Sequence, residues 1–219
     1  MDAKNTIFFN VDTQSDFMHA DGALYVKDAE LITPFLRELT ELAEEKNIKV
    51  INTADFHTEQ SVEISETPDY ATTFPKHCMV YSEGADFIDE TNPKKFYEDN
   101  YYIVNYTDSK IDENKFHRAR NIIVLKDQFD VFVGSKLIEE VLMQIQRKQV
   151  VENIVIYGVA TSICLKYAIN GLLARKFKVQ LVIDAIQDLP GYYTEYLYAI
   201  WINKGVTLTT TDKIEEMLR

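Results

Sequence analysis

The sequence predicts an α/β protein, a doubly wound three-layer fold with a mostly parallel sheet. Two observations predict it. Short runs rich in Ile and Val recur at residues 6–11, 49–53, 121–125, 153–157 and 178–183, the pattern of strands covered on both faces. Several intervals between them carry apolar residues at helical spacing, and strand–helix alternation gives parallel strands with helices on either side.

Taken in order, the run at 6–11 is the first strand, and residues 28–46 follow as a helix whose Leu31, Phe35, Leu39 and Leu42 fall on one face. After the second strand, residues 58–75 are polar and contain Pro68 and Pro75, a long loop of the kind that often carries function. Residues 89–115, with an aromatic cluster at Tyr97–Tyr106, read either as an irregular excursion or as a short strand at 101–104. Later helices are expected at 136–147, at 162–176 despite Gly171, and at 191–204, where tyrosines and Trp201 pack on the sheet or on a partner subunit. With 219 residues, 46% of them hydrophobic, the chain is expected to form one domain, 1–219.

Composition removes several functions. Net charge is −12, from 23 basic and 35 acidic residues, which disfavours nucleic acid and anionic lipid as partners. Among seven glycines none forms Gly-x-Gly, so neither the dinucleotide fingerprint nor a Walker loop can be written. Cys78 and Cys164 are too few for a disulfide framework or a structural zinc cluster. No apolar stretch approaches the roughly 20 residues that span a bilayer, so the expected location is cytoplasmic, with a homo-oligomer possible.

Ligands of parallel sheets sit beyond the carboxyl ends of the strands. The strands run into Asp12, into Asp55 and His57, into Lys126, and into the turn from Gly158 to Cys164. Singly, Asp12 is a turn former, Lys126 a solvated charge, Cys164 a small buried hydrophobe, and His57 and His77 ordinary imidazoles. Jointly they make a reactive rim. A free thiol with a pKa of about 8.5 needs a cation, a helix N-terminus or a base to become a nucleophile, and Cys164 is expected to have all three, with Lys126 the cation and Asp12 the proton acceptor. Asp55-Phe56-His57 places two ligand types on one side of an extended segment. With His77 they suit zinc, iron or manganese, and Glu59, Glu63 and Glu66 could add an oxygen or merely solvate the loop.

Val11-Asp12-Thr13-Gln14-Ser15-Asp16-Phe17, Lys126 with Phe129-Asp130-Val131-Phe132, and Gly158-Val159-Ala160-Thr161-Ser162-Ile163-Cys164 together resemble the isochorismatase-like cysteine hydrolases. Asp55-Phe56-His57, Thr67-Pro68-Asp69-Tyr70, Phe74-Pro75-Lys76-His77-Cys78 and Gly84-Ala85-Asp86-Phe87 resemble the nicotinamidase branch. The resemblance implies catalytic Asp12, Lys126 and Cys164, and oxyanion amides from Ala160 and Cys164 beside a cis Val159–Ala160 bond. It further implies metal ligands Asp55, His57 and His77, with Glu63 or its competitor Glu66 completing the shell, and Phe17 and Phe74 flanking a substrate ring. The turn departs from the family where Ser162 replaces a common Asp and Ile163 a common Tyr or Val, and Phe74 stands where Trp is frequent. The expected function is hydrolysis of nicotinamide through a cysteine thioester, with one divalent metal ion, zinc first. The alternatives are another family hydrolase acting on a small amide, carbamoyl or vinyl-ether substrate, and a non-catalytic metal-containing binding domain.

Overall fold

A computed structural model describes residues 1–95, 100–191 and 194–218. At its centre β1 (Thr6–Val11) is buried along its whole length, between β2 (Lys49–Asp55) and β5 (Asn153–Gly158). With β3 (Tyr101–Val104), β4 (Asn121–Lys126), β6 (Lys178–Ile186) and β7 (Thr207–Thr209) they form a sheet in the order β3-β4-β2-β1-β5-β6-β7. Every pairing among the described strands is parallel, so the sheet is wholly rather than mostly parallel. Residues 101–104 are therefore a strand, while Tyr97 of the adjoining aromatic cluster lies outside the described residues.

The helices are α1 (Ser15–Met18), α2 (Thr33–Glu45), α3 (Glu113–Arg118), α4 (Val131–Gly134), α5 (Ile138–Gln146), α6 (Lys166–Ala174), α7 (Thr194–Asn203) and α8 (Thr211–Met217). From β1 the chain winds through α2 towards β2, and from β5 through α6 towards β6 in the opposite direction. Right-handed crossovers then put α2 and α6 on opposite faces.

Two helices differ from their sequence pattern. The 28–46 helix is broken: Asp28 has φ +63, a 3₁₀ turn covers Ala29–Ile32, and Pro34 starts α2. The tighter 3₁₀ winding shifts the buried stripe, so Leu31 is 65% exposed while Ile32, Leu36, Leu39 and Leu42 face the core. The expected helix at 162–176 opens instead as a π-type turn, Thr161–Leu165, before α6. Residues 192 and 193 of the expected 191–204 helix lie outside the described residues. In α7, Trp201 is buried, whereas Tyr196 is 69% exposed. Strand β7 and helix α8 escaped the sequence reading because three residues, Thr-Leu-Thr, and a helix buried through Ile214 carry too little periodicity. No helix of the described residues is long and apolar enough to cross a membrane.

The loop at 58–75 is held by its own polar groups. Asp69 accepts the N–H groups of Ala71, Thr72 and Thr73, and Ile64 bridges to Phe74. Gly171 of α6 lies against Phe132 of α4, whose ring also carries the Arg175 guanidinium at 3.7 Å. A Cβ at 171 would stand 2.1 Å from Phe132 Cδ2. Gly171→Ala is therefore expected to cost about 1–3 kcal/mol by overpacking, read as a lowered urea midpoint at unchanged m-value.

Candidate active site

Strand register assembles the site. Asp55 pairs with Lys126, and Val11 pairs with both Thr53 and Gly158, so the carboxyl ends of β4, β2, β1 and β5 stand side by side where the winding reverses. Asp12 leaves β1 in the left-handed region, φ +49, one of the few residue types that does so readily. Its N–H donates to Thr53 O at 3.2 Å, and Thr53 Oγ1 donates to Asp12 Oδ1 at 2.6 Å.

Lys126 is 1% exposed, far from a solvated charge. Its Nζ donates to Asp55 Oδ1, lies 3.0 Å from Asp12 Oδ2 and 3.8 Å from Cys164 Sγ. Burial opposes its charge, but the facing carboxylates of Asp12 and Asp55 hold its pKa well above the usual lysine value. Asp12 is raised, chiefly by burial, with Lys126 pulling the other way. Asp55 is buried too, yet Lys126 and then His57 hold its carboxyl well below the usual range.

Gly158 makes the nucleophile turn possible. At φ +117 it lets β5 lie so close to β1 that a Cβ would stand 2.1 Å from Val11 O. The peptide bond between Val159 and Ala160 is cis, as the resemblance implied. The turn brings Cys164 Sγ within 4.8 Å of carboxylate oxygens of Asp12 and Asp55. Burial pushes the Cys164 thiol well above its ordinary value, while the Lys126 ammonium pulls it down.

Beside it, Asp55, His57 and His77 form a second cluster. His57 Nε2 lies 3.8 Å from Asp55 Oδ1, and His77 Nε2 lies 3.7 Å from Asp55 Oδ2. Gln14 fixes the carboxylate's backbone, donating from Nε2 to Asp55 O at 2.8 Å and accepting the Asp55 N–H at 2.7 Å. His77 Nδ1 sits 2.7 Å from Pro75 O, so that nitrogen carries the proton and Nε2 is left as a donor atom. His57 is fully buried, and neither ring nitrogen has a hydrogen-bond partner among the described residues. Leaving such groups unpaired is costly, and one carboxylate with two imidazoles is a donor set for a divalent cation. The residues fit a metal.

Glu63 stands outside that cluster. It is 3% exposed, accepts the Phe129 N–H at 2.7 Å, and burial raises its carboxyl to about 7. Glu66 and Glu59 instead pair with Lys76 at the surface, at 3.6 and 2.9 Å, which removes Glu66 as a competitor. A pocket opens onto Cys164, Ala160, Asp55, Glu63 and His77, with Phe17, Phe74 and Phe129 among its walls. Phe17 and Phe74 approach the His77 ring at centroid distances of 5.4 and 6.1 Å. Cys78, by contrast, is buried with its Sγ towards Gly84 O and does not line the pocket. Sequence reasoning missed Thr53 and Leu189, since only strand register and loop packing bring them here, and it placed Phe129 in the lysine motif without a pocket role. Gln14 was visible inside the first motif, but its two partners on Asp55 were not.

The fold and site together define a parallel α/β protein in which buried Asp12, Lys126 and Cys164 stand next to an Asp–His–His group that could hold a metal ion. The isochorismatase domain model matches residues 107–213. A 77-residue stretch is 35% identical to the nicotinamidase/pyrazinamidase of Mycobacterium tuberculosis and spans 35% of this chain and 40% of that relative. The pyrazinamidase of Pyrococcus horikoshii, solved with zinc, superposes with a TM-score of 0.69 at 24% identity over 94% of this chain and 99% of its own. N-carbamoylsarcosine amidase from Thermoplasma acidophilum gives 0.70 at 18% identity over 95% and 97%. By the family model over residues 107–213 and the partial relative, the chain is similar to the isochorismatase-like hydrolases, and the solved structures share its fold.

Proposed function

We propose that the protein is a nicotinamidase, hydrolysing nicotinamide to nicotinate and ammonia. The observation that carries this reading is the pocket lined together by Cys164 and by Asp55 and His77 of the Asp55–His57–His77 cluster, between aromatic side chains. A flat ring enters between Phe17 and Phe74, with its carboxamide at the thiol.

Asp12 takes the thiol proton as Cys164 Sγ bonds to the carboxamide carbon, and the carbonyl electron pair moves onto oxygen. The backbone amides of Ala160 and Cys164 receive that oxyanion, each donor worth about 3 kcal/mol in such sites. Asp12 then returns the proton to the leaving nitrogen, the C–N bond breaks, and ammonia departs to leave a thioester. A water that gives its proton to Asp12 attacks the thioester, the C–S bond breaks, and Sγ regains a proton. Lys126 holds Asp12 and the sulfur in register throughout. A divalent ion held by Asp55, His57 and His77, zinc first, would supply a Lewis acid for the lone pair of the substrate's ring nitrogen. Glu63 is proposed as a further oxygen ligand from the pocket wall.

The deciding assay is ammonia release from nicotinamide by the purified protein, with nicotinate formed in equal amount. Turnover of other small amides or carbamoyl compounds but not nicotinamide would select a different family hydrolase. No turnover of any would favour a binding domain.

A further inference from the structure

We infer that Asp188 is a positioning residue for the nucleophile turn, clamping it to the pocket wall from the tail of β6. Its Oδ1 accepts the Ser162 N–H at 3.0 Å, the Ser162 hydroxyl at 2.7 Å and the Leu189 N–H at 2.9 Å. Its Oδ2 accepts the Thr194 hydroxyl at 3.0 Å. The residue before it continues the grip: Gln187 O accepts both the N–H and the hydroxyl of Thr161, at 3.0 and 2.9 Å. One carboxylate thus joins the turn that presents Cys164 two residues later, Leu189 on the pocket wall, and the first residue of α7.

The physical need is local. A turn that opens at Thr161 leaves its first N–H groups without intrahelical acceptors, and an anionic acceptor there gives strong, short bonds. Ser162 is 4% exposed and Thr161 is fully buried, so water does not readily substitute. Ser162 offers a hydroxyl and no carboxylate, and Asp188 delivers the anionic acceptor from 26 residues away. The same group fixes Leu189, so the sulfur's position and the shape of the pocket are set together.

The test uses two readouts on Asp188→Ala and Asp188→Asn. In the kinetic arm, which rests on the amide-hydrolase reading, Asp188→Ala is expected to lower kcat by about a hundredfold, with a smaller rise in KM. Asp188→Asn keeps an acceptor oxygen for Ser162 and is expected to recover most of the loss. The second arm needs no substrate: iodoacetamide labelling of Cys164, followed by peptide mass against Cys78. Asp188→Ala is expected to slow Cys164 labelling about tenfold, because the thiol leaves its base, while Cys78 stays unreacted. An unchanged Cys164 rate, or faster labelling of both cysteines from general loosening, would overturn the inference. If nicotinamide proves not to be a substrate, the labelling arm still decides.

Discussion

Lys126→Met is expected to remove turnover and about 3–5 kcal/mol of stability together. The methionine fills the same space but leaves Asp12 and Asp55, both at most 1% exposed, without the cation that lies within reach of each. Breaking one partner out of a buried ionic group costs this much because the remaining charges stay buried. In a chain of this size the loss corresponds to a Tm lower by roughly 6–20 °C. Cys164→Ala provides the contrast. It deletes one sulfur that Asp12 and Lys126 do not need for their own pairing, so stability should change by only about 1 kcal/mol. Turnover should nevertheless fall by at least about 10⁴-fold. Urea melts and ammonia release on the same preparations separate the two effects. A Lys126→Met protein as stable as wild type would mean that the two carboxylates protonate at little cost, and the charge-balanced site described above would be wrong.

How much of this was legible beforehand follows from what each feature depends on. Asp12 and Asp55 were found because apolar runs end at them, a local signal. That Asp55 and Lys126 are register partners was not legible, since residues 55 and 126 are neighbours only through parallel pairing. Cys164 shows the limit most clearly. Its place in a turn after β5 was readable, but the opposition of burial to the nearby lysine was not, because sequence carries no depth. The 28–46 helix failed for a different reason: a left-handed Asp28 and a 3₁₀ turn re-phase the stripe, and apolar spacing alone cannot distinguish 100° from 120° per residue. Composition was informative in an indirect way. Scarce glycine excluded phosphate loops, while the glycine the site does use, Gly158, acts singly at a positive φ.

His57→Ala is expected to abolish metal binding while sparing the fold. Wild-type protein, dialysed and analysed by mass spectrometry for elements, should hold about one divalent ion per chain. The variant should hold almost none, because only Asp55 and His77 would remain of the three clustered ligand side chains. Stability follows by mass action. An ion present at a hundredfold above its Kd stabilises the native state by about 3 kcal/mol, so a chelator should lower the Tm of wild type and leave that of His57→Ala unmoved. Gln14→Ala tests whether the backbone clamp on Asp55 matters; an outer partner of this kind is worth about 10–100-fold in metal affinity. Cys164→Ala should retain the ion, since Cys164 belongs to the other cluster. Equal metal in wild type and His57→Ala would sink the assignment, and the two unpaired nitrogens of His57 would then need another partner. Loss of metal with ammonia release intact would leave the site structural. Asp55 joins the two clusters: its Oδ1 faces both Lys126 and His57, and its Oδ2 faces His77. Removing His57 deletes a ligand side chain but not the lysine, so the Asp55–Lys126 ion pair is expected to persist and the loss to fall on the metal.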